Sequence, residues 1–251
     1  MKKITSLSAA ALVLAMAVSV FGGCSSDNEE KKSKRAQKDD ESEVTEVEEE
    51  ETEDESSACL PADIKAGDIV SFGKYQDEAI EWQVLEKMND SVLLISDKCI
   101  EVRPFHNIDE DTTWEKCELR SWLNGEFYDQ TFSDDEKEAM VVNKVFNEDA
   151  TTEFVNGGSD TEDMIYILSK DEASKFFADD SARITKPTQH AIDSNIAVDD
   201  KGNSPWNLRT PGDNNNKVAV IYSTGTIFEE GNPVWYNDLG VRPVISVKLE
   251  K

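Results

Sequence analysis

Hydrophobic and polar positions divide this chain into three stretches. Ala9 to Val20 is an unbroken run of small and apolar residues, whereas Ser25 to Ala58 has almost no large apolar side chain. Beyond Leu60 apolar residues return in short periodic bursts bounded by Gly, Asn and Asp. "DIVSFGKY" (Asp68 to Tyr75) reads as a strand ending at a Gly turn. "IEWQVLEK" and "SVLLIS" alternate or run apolar around "MND", the signal of a hairpin. "TTWEKCELRSWLNG" instead repeats Trp114, Cys117 and Trp122/Leu123 at helical spacing. Thr112 with Glu115 forms a capping box at its start, and Asn124-Gly125 supplies the stop. Boxes at Ser133/Glu136 and Ser169/Glu172 predict two more short helices. "MVVNKVF" and "MIYILS" read as strands with "NGGSDTED" as a loop between them, and Ala182 to Ser204 as a long polar surface loop. "PWNLRT", "KVAVIYST", "TIFEEG" and "GVRPVISVKL" complete the chain as a β-meander punctuated by glycines. Short strands and helices without βαβ alternation predict an α+β domain over residues 60–251.

The first two stretches change the picture from a plain soluble domain. Lys2 and Lys3 precede the apolar run, which is shorter than the roughly 20 residues a spanning helix needs. Residues 1–23 therefore read as a signal peptide. Gly22-Gly23-Cys24 resembles a bacterial lipobox, with Phe21 in place of the usual aliphatic, and predicts lipidation of Cys24. Residues 24–59 open lysine-rich and become almost entirely acidic, the composition of a disordered, self-repelling tether. The expected location is extracytoplasmic, on the bacterial cell membrane through the N-terminal lipid. The formal net charge of -27 repels phosphate backbones, which argues against nucleic acid as a partner.

The chemistry-bearing residues are sparse. His106 and His190 are the two histidines, and neither has a metal-ligand spacing. The chain contains no P-loop, no G-x-G-x-x-G and no G-x-S-x-G elbow. Cys99 and Cys117 flank one loop, open to a disulfide or to burial as free thiols, with free thiols slightly favoured. Asp160, Glu162 and Asp163, and the turn Gly212 to Asn216, offer oxygens for Ca²⁺, although solvated turns of Asp, Asn and Gly have the same composition. No cofactor and no metal site are expected.

"FGKY", "IEWQVLE", "LLIS", "TWEKCELRSWLNGEFYDQTFSDDEK", "GGSDTEDMIYILS", "DEASKFF", "WNLRTPG" and "GVRPVISVKL" occur in this order from about Ala66 to Leu249. In these segments the chain resembles domain-of-unknown-function family 6273 of bacterial secreted and lipid-anchored proteins. Asn207 and Thr210 depart from the aromatic and Ser usual there. The resemblance implies a compact α+β domain. The pairing of Trp-x-x-Arg with Gly-Val-Arg-Pro is similar to the C-type-lectin-like fold of formylglycine-generating enzymes, built from short antiparallel strands with two or three short helices. Those enzymes use a cysteine pair late in the domain, and no cysteine follows Cys117.

Two functional expectations follow. The first is a surface-displayed, non-catalytic lipoprotein whose domain binds an envelope or extracellular glycan or a protein partner. Its candidate ligand residues are Trp235, Tyr236, Asn237 and Asp238 on one turn, with Asp213 and Asn214 on another. Trp206, Arg209 and Arg242 are expected to be structural, with carboxylates as partners for both arginines. The second is an envelope enzyme, a hydrolase or protein-modifying enzyme, on an acidic, Cys or His site. Trp206, Trp235 and Tyr236 on one open groove would favour binding, and His190 meeting a carboxylate and a hydroxyl in a pocket would favour catalysis.

Overall fold

The computed structural model describes residues 58–150 and 155–251. The signal peptide, Cys24 and nearly all of the tether lie outside the described residues. Ala58 and Cys59, the last two residues of the expected tether, already pack against the core.

The domain is a mixed α+β structure of mainly antiparallel sheets and short helices. Strands β1 (Ile69–Tyr75), β2 (Glu78–Lys87) and β3 (Ser91–Ser96) form an antiparallel meander. In β2 the alternation of Ile80, Trp82 and Val84 with polar residues buries one face. Every residue of β3 is buried, and the strand lies inside the sheet, paired with β2 on one side and β13 on the other. Gly73 does not end β1. It has φ +71° within the strand, next to a register shift, and a Cβ there would lie 2.6 Å from the Phe132 ring. The strand continues to Tyr75, which pairs with Glu78 across a two-residue turn of left-handed Gln76 and Asp77.

After β4 (Glu101–Val102) comes a helical stretch. A 3-10 turn (Trp114–Lys116), α1 (Glu118–Trp122), a π-helical turn (Leu123–Phe127) and α2 (Tyr128–Thr131) succeed one another. The capping box expected at Thr112 is not formed. Thr113 is the N-cap of the 3-10 turn and makes no side-chain cap bond, and Cys117 instead caps α1 through its sulfur. Asn124-Gly125 does not stop the helix either. The Asn124 amide accepts from the backbone N–H groups of Met164 and Ile165 at 2.9 and 3.1 Å and donates to the Ile165 carbonyl at 2.7 Å. Those tertiary bonds outweigh its local tendency to terminate.

Helix α3 (Asp134–Ala139) begins at the expected Ser133/Glu136 box. Strands β5 (Met140–Val141) and β6 (Asn143–Val145) follow, then β7 (Thr161–Asp163) and β8 (Ile165–Tyr166). The end of "NGGSDTED" is thus a strand, β7, paired antiparallel with β6. Helix α4 (Lys170–Phe176) begins at the second expected box, Ser169/Glu172. Ser169 is buried, so Ser169→Ala is expected to cost about 1–2 kcal/mol in chemical denaturation, near the upper end for a lost cap.

The segment expected to be an irregular loop carries α5 (Asp180–Arg183) and α6 (Gln189–Asp193), capped by Asp179 and Thr188. Their brevity leaves too few apolar positions for a periodic signal. Strands β9 (Trp206–Pro211), β10 (Lys217–Ile221) and β11 (Ile227–Pro233) form the expected meander. "GVRPVISVKL" does not extend it. Its first part, β12 (Gly240–Val241), pairs parallel with β9 and antiparallel with β4, while β13 (Val244–Lys248) belongs to the first sheet. The switch lies at Arg242-Pro243, where proline has no N–H to continue a ladder. The resulting sheets run β1-β2-β3-β13-β5, with β8 also on β13, and β11-β10-β9-β12-β4.

Candidate functional site

Backbone bonds hold three polar segments together at one place. The Thr112 N–H donates to the Asn215 carbonyl at 3.0 Å, and the Asn216 side chain donates to Asp109 at 2.9 Å. The Val234 N–H donates to the Asn216 carbonyl, and the His106 N–H to the Val234 carbonyl, each at 2.9 Å. The loop after β4, the β9–β10 turn and the turn after β11 are thereby stitched into one surface. Val234 is buried and anchors it. The next residues, Trp235 and Tyr236, are 44% and 37% exposed and meet edge to face with centroids 5.1 Å apart. Asn237, Asp238, Asp213 and Asn214 are also exposed. The six candidate ligand residues therefore stand on two joined turns.

The chemistry of this surface is an apolar corner within carboxylates and amides. His106 is buried beneath it, its Nε2 2.9 Å from Glu110 and its Nδ1 against Glu118. The bond from Nε2 to Glu110 ties the ring to its own loop. Asp213 is paired with Lys217 at 2.9 Å. Asp109, Glu110, Asp111 and Asp238 are exposed and leave a negative field that disfavours anionic ligands.

Trp206 does not join the exposed pair. It is fully buried and donates through Nε1 to the Arg183 carbonyl at 3.2 Å. Trp82, Trp114 and Trp122 are likewise core residues. Tyr222 is partly exposed and stacks on Phe228 at 5.1 Å. Arg209, in β9, is buried and binds Glu172 through both terminal nitrogens, together with the carbonyls of Ile167 (3.0 Å) and Phe146 (2.9 Å). Among the described residues no carboxylate is bonded to Arg242, although the charge of Asp97 is near enough to act on it. Its fork binds the Ser96 carbonyl at 3.0 and 2.9 Å, and its plane lies 4.9 Å from the Trp206 ring and 5.6 Å from Phe177. Burial pulls its pKa down to about 10. The expectation of carboxylate partners holds for Arg209 and fails for Arg242, whose charge is offset by carbonyl dipoles and π faces.

The acidic run "SDTED" separates in the same way. Asp163 is buried, accepting from Trp114 Nε1 at 2.9 Å, Thr161 Oγ1 at 2.7 Å and Arg120 Nε at 2.7 Å. Its oxygens belong to the fold. Among the described residues no group of three or more His, Cys, Asp or Glu side chains is arranged to hold a metal ion. Cys99 and Cys117 are separate free thiols, both buried, and burial pushes their pKa values up to about 12. They stay protonated and unreactive at neutral pH.

A second constellation was not anticipated in full. Glu101, in β4, is buried and its Oε2 accepts from the Tyr75 hydroxyl at 2.6 Å and faces His190 Nε2 at 3.1 Å. The other oxygen, Oε1, accepts its neighbour's N–H, Val102, at 2.8 Å. Burial, then the bond to Glu101, push the Tyr75 phenol up to about 12. Tyr75 and His190 line a pocket of about 70 Å³. His190 was visible in the sequence as one of two histidines. Nothing local marks Tyr75 or Glu101 as its companions.

No curated protein and no solved structure matches the chain. A family model described as a domain of unknown function (DUF6273) matches residues 89–249. That span begins at the β2–β3 turn and covers the joined turns, Arg209, Arg242, Glu101 and His190, so the chain belongs to the DUF6273 family.

Proposed function

We propose that this is an extracytoplasmic lipoprotein, anchored through Cys24, whose domain is C-type-lectin-like and binds a neutral envelope or extracellular glycan without catalysis. The observation that carries the reading is the exposed Trp235–Tyr236 pair, set among Asn237, Asp238, Asp213 and Asn214 on joined turns. Aromatic faces take the apolar side of a sugar ring, and amide and carboxylate oxygens take its hydroxyls. The negative field around them favours a neutral polyol over an anionic polymer. The lectin-like assignment draws support from the pairing of the two ends of the domain. The Leu60 N–H donates to the Lys248 carbonyl at 3.0 Å, and the Glu250 N–H to the Leu60 carbonyl at 2.9 Å. Arg242 stacked on Trp206 joins the Trp-x-x-Arg and Gly-Val-Arg-Pro segments.

The second reading, an envelope hydrolase, draws on the carboxylate-held imidazole of His190 in its pocket. It gains from His190 meeting the Glu101 carboxylate beside the Tyr75 hydroxyl, and it ranks below binding because that hydroxyl is bonded to Glu101 and no serine, threonine or cysteine side chain is bonded to the ring among the described residues.

The test is a glycan and peptidoglycan array probed with the full-length chain, with and without Ca²⁺, beside Trp235→Ala. The variant is expected to bind at least about tenfold more weakly, as for a central aromatic contact. Its stability should stay within about 0.5 kcal/mol of the parent, because the side chain is exposed. Hydrolytic turnover without retention of any glycan would overturn the reading in favour of the enzyme, and retention of a protein in place of a glycan would overturn the ligand class.

A further inference from the structure

We propose that the pocket between the β1–β2 turn and α6 is a second ligand site, which takes a primary alkylammonium group such as the end of a lysine-type side chain. It stands on residues other than the aromatic turn and does not rest on the glycan reading. At about 70 Å³ the pocket is well below the roughly 300 Å³ at which sites for whole small molecules begin. It suits one terminal group rather than a sugar ring.

The floor is aliphatic. Ile80 and Ile100 are buried and line it, which suits methylene carbons. Tyr75 and His190 form a wall, their rings edge to face with centroids 5.6 Å apart. Glu101 lies behind both rings and determines what they offer. The Tyr75 hydroxyl gives its proton to Glu101, so the remaining capacity of that oxygen is to accept. In the neutral ring His190 gives its Nε2 proton to the same carboxylate, which leaves the lone pair on Nδ1. With the ring neutral, the polar atoms of Tyr75 and His190 are acceptors with no proton to spare.

The rim has the same preference. Glu78 and Glu81 are exposed and line the pocket, against Lys98 as the one cation among its lining residues. With Glu101 beneath, the local charge disfavours a carboxylate or phosphate and favours a cation. An ammonium brings three donors and one positive charge to this set, whereas an alcohol brings one donor and no charge. The formal net charge of -27 adds a general attraction for cations.

The probe is n-butylammonium, with n-butanol as its neutral counterpart and butyrate as its anionic one. Each is titrated into the full-length chain while the ring resonances of the two histidines, assigned with His190→Gln, are followed. Butylammonium is expected to shift His190 saturably and to leave His106 in place, with little response to the other two. The variant Glu78→Gln/Glu81→Gln changes exposed side chains and should fold as the parent does. It is expected to weaken amine binding about five- to tenfold, the equivalent of two modest ion pairs. Trp235→Ala should bind the amine as the parent does, which separates this site from the glycan surface. A His190 resonance that does not respond, an equal response to butanol or butyrate, or unchanged binding in the double variant would each overturn the proposal.

Discussion

Replacing Arg209 with Met is expected to lower folding stability by about 3–5 kcal/mol, the cost of breaking a buried ion pair from one side. The Arg209 side chain is 2% exposed and that of Glu172 is 28% exposed, so residual hydration of Glu172 moves the value toward the lower end. Three sets of groups lose their donor at once. They are the Glu172 carboxylate, the Ile167 carbonyl and the Phe146 carbonyl. For a domain of this size the loss corresponds to about 6–20 °C in Tm. A double variant, Arg209→Met with Glu172→Gln, should recover part of the loss, because it leaves no orphan charge and glutamine still serves a capping box. Thermal and chemical denaturation measure both. Glycan retention, assayed well below the melting temperature, is expected to remain, since Trp235 and Tyr236 are not among the side chain's partners. A variant with unchanged Tm and lost retention would make Arg209 a ligand residue.

The same arginine shows how much of the fold was legible beforehand. The boxes at Ser133 and Ser169 formed as expected, whereas the same local spacing at Thr112 and Glu115 did not give one, because the 3-10 turn there starts at Thr113 and Cys117 caps the helix that follows. The β2–β3 hairpin followed from alternation around a polar turn. Glu172 was therefore readable as a cap, and its second role as Arg209's partner was not, because that contact joins residues 37 apart. Asn124 has the same character. Its sequence neighbours propose a helix stop, and its bonds to Met164 and Ile165, 40 and 41 residues away, hold it in a π-helical turn. Asp163 read as one acid among many, whereas its environment comes from Trp114, 49 residues earlier, and from Arg120.

The candidate sites divide along the same line. The exposed aromatic turn was legible because Pro233, Asn237 and Gly240 bound a short segment that a core cannot absorb. That the Asp213–Asn216 turn lies beside it depends on the β10 hairpins, whose pattern was also readable. The pocket was not legible. His190 and Glu101 lie 89 residues apart, on a helix and a strand too short to carry a periodic signal.

Arg242→Lys is expected to destabilise the domain more than Arg242→Met, the reverse of what charge conservation would suggest. Arg242 is fully buried, and no carboxylate is bonded to it among the described residues. Its guanidinium is tolerated because a planar, weakly hydrated fork divides itself between the Ser96 carbonyl and the faces of Trp206 and Phe177. The fall of its pKa to about 10 has burial as its first cause, so the charge itself is a cost that these contacts offset. A lysine ammonium is a compact, strongly hydrated point charge that reproduces neither the fork nor the stacking. It would either remain charged and poorly paired or give up its proton, and the expected loss is about 3–5 kcal/mol. Methionine loses the same bonds but removes the charge and packs a flexible thioether against the two aromatic rings, for an expected loss of about 2–3 kcal/mol. The order Arg, then Met, then Lys in urea-denaturation midpoints would identify Arg242 as a stacked, carbonyl-bound clamp at the point where the chain passes from one sheet to the other. A lysine variant as stable as the parent would show that the charge alone suffices there and that the planar geometry contributes nothing.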